Sequence, residues 1–341
     1  MQTKKKISLI IVILLVFLGG TITLYRMTSS PPKYETKEFL MDTMVSLEVT
    51  GQEAKKAGQA AIKAMRQTAD RSTRYNEDSI ISKINKEAGN KPIKVNDDIL
   101  IMIKAAKKYG RLTEGKFDIT IAPVIDLWNF ETGKNLVPST KKIEEKLELV
   151  DYKKIIINEN EKTVMLAKSG MKIDLGGIAK GYIVDQAADV LKKFNIKSAL
   201  INAGGNIRTI GTKSSGDKWR LGIKNPRDNS KDPKDNYLNI IEVKETNVVT
   251  SGDYERYFKK EGRRYHHILD PNTGYPARGL ASVTIISDSS FKADILSTAL
   301  FILGFKEAKS YIKEHDDIEG MLVTTDLNKW RSKGFKELIA D

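Results

Sequence analysis

The chain is 341 residues long, carries a formal net charge of +13 and contains no cysteine. That length holds one large domain with a real core, and the missing cysteine excludes disulfides, thiolate metal sites, a cysteine nucleophile and a lipid-bearing cysteine. The basic residues are mostly scattered lysines without the long block of a nucleic-acid arm; they suit a solvated surface, an anionic substrate or a negatively charged envelope.

The N-terminus opens with Lys4, Lys5 and Lys6, followed by an apolar run over residues 7–24. A bilayer crossing needs roughly 18 to 20 apolar residues, so the run predicts a transmembrane anchor. The basic flank stays cytoplasmic, which puts everything after Tyr25 on the extracytoplasmic side of the cell membrane. No convincing small-x-small cleavage site follows, which favours an uncleaved anchor over a removed signal peptide. Residues 28–32, Thr-Ser-Ser-Pro-Pro, read as a tether. The expected division is 1–32 for anchor and tether and 33–341 for one folded domain.

Within that domain, alternation at Val45, Leu47 and Val49 predicts a strand. Ala-rich spacing predicts a helix over residues 52–71. Asn96, Asp97 and Asp98 cap a second helix over 99–109, ending at Gly110. Residues 152–158 and 162–167 read as a hairpin. A helix over 178–194 places Ile183, Ala187, Val190 and Leu191 on one face. Residues 198–202 form a buried strand, and 264–269 form a strand that runs into a turn. Helices follow over 291–303 and 306–315, then a strand over 320–325. There is no regular βαβ alternation, so the fold class is α+β, with mixed or largely antiparallel sheets packed with helices.

Six segments have the composition of a site. Residues 267–274 read His-Ile-Leu-Asp-Pro-Asn-Thr-Gly, an imidazole beside a turn in which Pro271 fixes one φ and Gly274 permits a positive one. Alone, this is equally an ordinary β-turn closed by a histidine. Asp174, Gly176, Gly177 and Lys180 fall at a strand-to-helix junction, where bare backbone and a helix N-terminus suit phosphate oxygens. The spacing is neither a Rossmann fingerprint nor a P-loop, and a tight connection would look the same. Asn202, Gly204, Gly205 and Asn206 form another backbone-exposing turn. Asp294, Ser297 and Thr298 share one helical face, a carboxylate and two hydroxyls that suit Mg²⁺ or a satisfied polar patch. Phe117 and Trp128 cover a planar ligand or fill the core. Thr250, Ser251, Gly252 and Asp253 offer turn chemistry or phosphate contacts.

Taken together and in order, these segments resemble the ApbE family of FAD:protein FMN transferases. The resemblance runs through residues 41–44, 75–79, 117–128, 174–181, 202–207, 250–254, 267–274 and 293–298, and spans nearly all of 33–341. It implies an ApbE-like, T-fold-like domain. It implies that Met41, Tyr75, Asp174, Lys180 and Ile268 contact FAD, and that Phe117, Asp118 and Ile119 hold its adenine side, partly through backbone. It implies Mg²⁺ on Asp294, Thr298 and the Gly177 carbonyl, with Ser297 replacing a carboxylate of some relatives. Asn206 stands where relatives often have Asp. The activity implied is Mg²⁺-dependent transfer of FMN from FAD to a Thr or Ser hydroxyl of an acceptor protein, releasing AMP. The acceptors would be extracytoplasmic electron-transfer proteins, with no nucleic-acid partner. His267 is the first candidate to orient or deprotonate that hydroxyl, and Asp253 the second. Hydrolysis of FAD to FMN and AMP, or a flavin-binding protein without catalysis, are the competing expectations.

Overall fold

The computed structural model describes residues 31–130, 135–227, 232 and 236–340. The expected anchor over residues 7–24 lies outside the described residues. Among those described, no helix is long and apolar enough to cross a membrane.

Strands β1 (Lys33–Leu40) and β2 (Thr43–Thr50) pair as a hairpin. Met41 and Asp42 close it with φ of 54° and 55°, the left-handed pair whose twist matches the flanking strands. After the short strands β3 (Ile93–Lys94), β4 (Ile155–Asn158) and β5 (Thr163–Leu166), β6 (Ser198–Ala203) joins β2. The main sheet continues through β7 (Asn206–Ile210), β10 (Asn247–Gly252), β13 (Leu280–Ser287), β14 (Ile318–Thr324) and β15 (Lys329–Arg331). Every neighbouring pair in it is antiparallel. The α+β expectation with largely antiparallel sheets therefore holds.

Period-two alternation gives this sheet two different faces. One register row crosses five strands as Val45, Ala203, Asn206, Val249 and Ile285. Its four apolar members are fully buried. Helices α1 (Ala54–Ser72), α6 (Ala179–Leu191) and α7 (Ser290–Leu303) pack on that face. Each fully buried Ile or Leu there contributes roughly 1.5–3 kcal/mol of transfer free energy. The other face is covered by the hairpin β8 (Trp219–Lys224) and β9 (Tyr237–Val243), and by α9 (Lys333–Glu337). Trp219, Leu221 and Ile241 meet Val248, Ile286, Met321 and Phe335 in this second layer. The hairpin β11 (Tyr257–Lys260) and β12 (Arg263–His266) projects beyond the main sheet's β10.

The remaining helices are α2 (Ile80–Lys86), α3 (Asp97–Leu112), α4 (Ala122–Trp128), α5 (Thr140–Leu147) and α8 (Phe305–Glu314). Asn96 caps α3 through its Oδ1, 3.4 Å from the Ile99 amide, as its sequence predicts. Gly110 does not end the helix, however. It is an interior residue at which the Tyr152 ring packs so closely that a Cβ would come within 2.8 Å of it. The strand expected over 264–269 also stops early. It ends at His266, and only the isolated Leu269–Pro276 bridge follows.

Two helices lock each other at their N-termini. Asp185 of α6 accepts hydrogen bonds from the Ser290 and Phe291 amides at the start of α7, at 2.9 and 3.0 Å. Asp294 of α7 accepts in return from the Gly181 amide in the first turn of α6, at 2.8 Å. Each carboxylate satisfies amide donors that its partner helix cannot pair internally, and each sits at the positive end of a dipole. Contact this close needs glycine at 181: a Cβ there would lie 2.3 Å from the Ser290 carbonyl oxygen.

Candidate active site

The sheet ends, the α6 N-terminus and the β1–β2 hairpin tip surround a cleft of about 850 Å³. Cavities that bury a small ligand span roughly 300–1,000 Å³, so this one has room for a dinucleotide. Of the FAD-contacting residues implied by the resemblance, Met41, Tyr75, Phe117, Asp118, Ile119, Asp174, Lys180 and Ile268 all line it. So do Gly177, Asp294, Thr298 and His267. Segments more than 200 residues apart in sequence thus converge on one cavity.

Asp118 lines the cleft with its carboxylate held inside the protein. Its Oδ1 accepts from the Thr120 amide and hydroxyl at 2.7 and 2.6 Å, and its Oδ2 from the Tyr152 amide at 2.8 Å. Burial pushes its carboxyl pKa up against those bonds. Asp174 accepts from the Gly176 amide at 2.6 Å and from Arg74 Nε at 2.5 Å. Arg74 went unrecognised in the sequence. It also donates to Asp126 at 2.6 Å and lies 4.5 Å from the Tyr75 ring centroid. Burial alone would lower the Arg74 pKa, but Asp174 and Asp126 reverse that and raise it. Asp126 opposes its own burial by pairing with Lys172 and Arg74, and its pKa is lowered. The network fixes Tyr75 and Asp174 on one wall. Lys180 bends back to the Gly176 carbonyl at 3.2 Å.

The Gly181 amide, which helix periodicity would direct to the Gly177 carbonyl, goes to Asp294 instead. Gly177 packs beside Thr298, where a Cβ would lie 3.8 Å from the Thr298 hydroxyl. Asp294, Thr298 and Gly177 thus line one cleft and bring to it a carboxylate, a hydroxyl and a backbone carbonyl. No cluster of three or more His, Cys, Asp or Glu side chains suited to a metal exists among the described residues. An all-oxygen set of this kind fits Mg²⁺, which keeps waters and shares its shell with substrate phosphates. Ser297 departs from expectation. It is fully buried behind the cleft, donates to the Asp294 carbonyl at 3.0 Å and meets the Ser251 hydroxyl at 2.8 Å. It does not line the cleft, so its hydroxyl is not presented beside Asp294 and Thr298 there. Ser251, missed as a partner, also touches Thr298 Oγ1 at 3.2 Å and so steadies that donor.

His267 sits on the bend after β12. The Arg256 carbonyl accepts from its amide at 3.1 Å and from its Nδ1 at 3.3 Å. That bond puts the ring proton on Nδ1 and leaves Nε2 as the acceptor. Burial, with the charges of His266, Arg256 and Lys180, lowers its pKa to about 3, so the ring is neutral near pH 7. Its neighbour His266 is structural: Nε2 donates to the Ala277 carbonyl at 2.9 Å. The turn that follows is built as expected, with the Gly274 amide on the Asp270 carbonyl at 2.8 Å and Gly274 at φ 68°.

Two further sequence candidates lie outside the cleft lining. Asp253 is 3% exposed and does not line it. Both its oxygens accept from Arg227 at 2.7 Å, so no free carboxylate edge is offered to an acceptor hydroxyl. Trp128 is core rather than a ligand cover: it is 2% exposed, stacks on Phe130 and donates from Nε1 to the Gly274 carbonyl at 2.7 Å.

An antiparallel α+β domain whose cleft has room for a dinucleotide and includes a helix N-terminus has the form of a ligand-binding enzyme. A family model described as the ApbE family matches residues 41–322. The chain belongs to that family. It is 36% identical over 248 residues to the FAD:protein FMN transferase of Klebsiella pneumoniae, covering 72% of this chain and 75% of that one. The Treponema pallidum FAD:protein FMN transferase is 31% identical over 77% of this chain and 75% of its own. Among solved structures, the ApbE protein of Thermotoga maritima superposes with a TM-score of 0.83 at 36% identity, covering 91% of this chain and all of that one. The flavin transferase ApbE of Vibrio cholerae gives 0.80 at 28% identity, covering 90% and 99%.

Proposed function

We propose that this protein transfers FMN from FAD to a Thr or Ser hydroxyl of an acceptor protein, releasing AMP. The supporting observation is the convergence on one cleft of the Gly177, Asp294 and Thr298 oxygens, the α6 N-terminus and the acceptor nitrogen of His267. The acceptor oxygen attacks the phosphorus on the FMN side. A new P–O bond forms, the bond from that phosphorus to the bridging oxygen breaks, and AMP departs with the bridging oxygen. The acceptor's proton passes to His267 Nε2. The Arg256 carbonyl holds the opposite ring nitrogen and so aims Nε2. Arg74 and Asp174 hold one wall of the cleft rigid, and Lys180 adds positive charge near the phosphates. Bound on Asp294, Thr298 and the Gly177 carbonyl, Mg²⁺ would neutralise charge on the phosphates during transfer.

On the same reading, residues 7–24 anchor the chain in the cell membrane and the domain works on its extracytoplasmic face. Its acceptors would then be electron-transfer proteins on that side. The test incubates the protein with FAD, Mg²⁺ and a Thr-bearing candidate acceptor, then weighs the acceptor. An added FMN mass with stoichiometric AMP supports transfer. AMP without added mass supports hydrolysis, and bound flavin without AMP supports binding alone.

A further inference from the structure

The β11–β12 hairpin concentrates positive charge that the fold does not balance. Its register sets Lys259 opposite Arg264 and Lys260 opposite Arg263. Like charges directly across an antiparallel pair destabilise it, and here two such pairs stand in succession. Lys259, Lys260 and Arg263 are exposed, as is Arg278, which donates to the Arg264 carbonyl at 2.7 Å. Arg256 and Arg264 find the carboxylates of Asp42 and Asp253 at 4.0 and 3.9 Å. Lys259, Lys260, Arg263 and Arg278 form no ion pair among the described residues. The guanidinium groups of Arg263 and Arg278 lie 5.6 and 5.5 Å from the Tyr265 ring centroid. Stacking there restrains them while leaving N–H donors over. Phe258 stacks on Tyr265 at 5.3 Å and belongs to the buried cluster around Trp128, which anchors the hairpin's base.

The hairpin is continuous with the cleft. None of residues 257–266 lines it, yet Arg256 before β11 and His267 after β12 both do. Each strand is 4 residues long, which carries the turn about 13 Å from those two residues. A protein resting on the hairpin therefore meets the cleft at the hairpin's base.

We propose that this hairpin docks an acidic face of the acceptor protein and so brings the acceptor hydroxyl to the cleft. The proposal rests on the transfer reading. Carboxylates on the acceptor would supply the countercharge that neither strand provides, and a guanidinium fork matches a carboxylate with two bonds. An anionic membrane surface is the poorer fit. The turn reads Lys260, Glu261, Gly262, Arg263, with an acid at its tip and no apolar side chain to insert.

The test uses the acceptor that gains the FMN mass from wild type. Transfer at saturating FAD and varied acceptor is measured for wild type, Lys259→Glu/Lys260→Glu and a control, Lys55→Glu/Lys63→Glu. The control changes net charge equally, at exposed α1 positions outside the cleft lining. Reversing Lys259 and Lys260 turns both like-charge pairs into opposite-charge ones, so the melting temperature should hold or rise. The acceptor's kcat/KM should nevertheless fall about tenfold or more at low salt, through KM, with equilibrium FAD affinity unchanged. That loss should shrink as salt rises, and the control should lose far less. Unchanged kcat/KM overturns the proposal. So does an equal loss in the control, which would make net charge the cause, or a parallel loss of FAD affinity, which would place the effect in the cleft. A fall in melting temperature that accounts for the lost activity overturns it too. Sedimentation with phosphatidylglycerol vesicles covers the membrane alternative: vesicle binding lost in the hairpin variant while its acceptor kinetics hold would make the hairpin a lipid contact instead. If wild type binds FAD but adds FMN to no acceptor, the functional reading beneath the proposal is what fails.

Discussion

At the residue scale, the two candidate bases separate cleanly. His267 presents an unshared ring nitrogen to the cleft, whereas Asp253 spends both oxygens on Arg227. His267→Ala should lower kcat by about 10²- to 10⁴-fold, the usual range for a lost general base, with FAD affinity changed only a few-fold. The pH profile adds a sharper check. With a free-enzyme pKa of about 3, the acid limb of kcat/KM should stay flat well below pH 5. Anionic substrate offsets the Arg256 and Lys180 charges that depress the ring, so the limb in kcat should appear at higher pH. A profile in which both limbs coincide near 6.5 would count against this ring. Asp253→Ala should behave oppositely. Leaving Arg227 without its buried partner costs about 3–5 kcal/mol, read as a fall in urea midpoint, while the folded fraction keeps its kcat.

At the element scale, site geometry depends on the crossed capping of α6 and α7. Asp185 touches nothing in the cleft, yet it fixes the helix that carries Asp294 and Thr298. Asp185→Ala should cost about 1–2 kcal/mol of stability as a lost cap, measured by denaturation. It should also raise the Mg²⁺ concentration needed for half-maximal activity; a stability loss without that rise would make the cap purely structural. The helices α1, α3, α6, α7 and α8 were legible because 3.6-residue periodicity and caps are local signals. Strand β13 was not. It is buried along its whole length, so it shows no alternation, and Ser282 and Thr284 break its apolar run. The site divides in the same way. Gly177, Asp294, Thr298 and His267 announce themselves in short motifs. Arg74 does not, since its partners Asp126 and Asp174 lie 52 and 100 residues away. Asp185 and Ser251 matter only through contacts made after folding.

At the scale of the whole molecule, the two histidines at the junction of β12 and the cleft make the fold sensitive to acid. His266 is 2% exposed, and burial outweighs its bond to Ala277 and the nearby Asp253, lowering its pKa to about 4. His267 falls further, to about 3. In the unfolded chain both rings regain a pKa of about 6.5 and bind protons first as pH falls. The unfolded state then holds more protons than the native one, so stability drops with decreasing pH. Their contribution is fully present above about pH 6.5, declines from there, and is lost once pH passes the folded values near 4 and 3. For His266 alone, a shift of that size corresponds to roughly 3 kcal/mol at the bottom of the window. Asp126, whose carboxyl is held low by Lys172 and Arg74, adds a loss in the same direction below about pH 4, while Asp118, pushed up by burial, opposes it. Urea midpoints measured from pH 7.5 to 4 should therefore fall continuously, beginning well above the carboxylate range. The same series on His266→Gln, which keeps a donor for Ala277 but cannot take up a proton, should be flatter between pH 6.5 and 4. Parallel curves for the two proteins would place the acid sensitivity elsewhere in the fold.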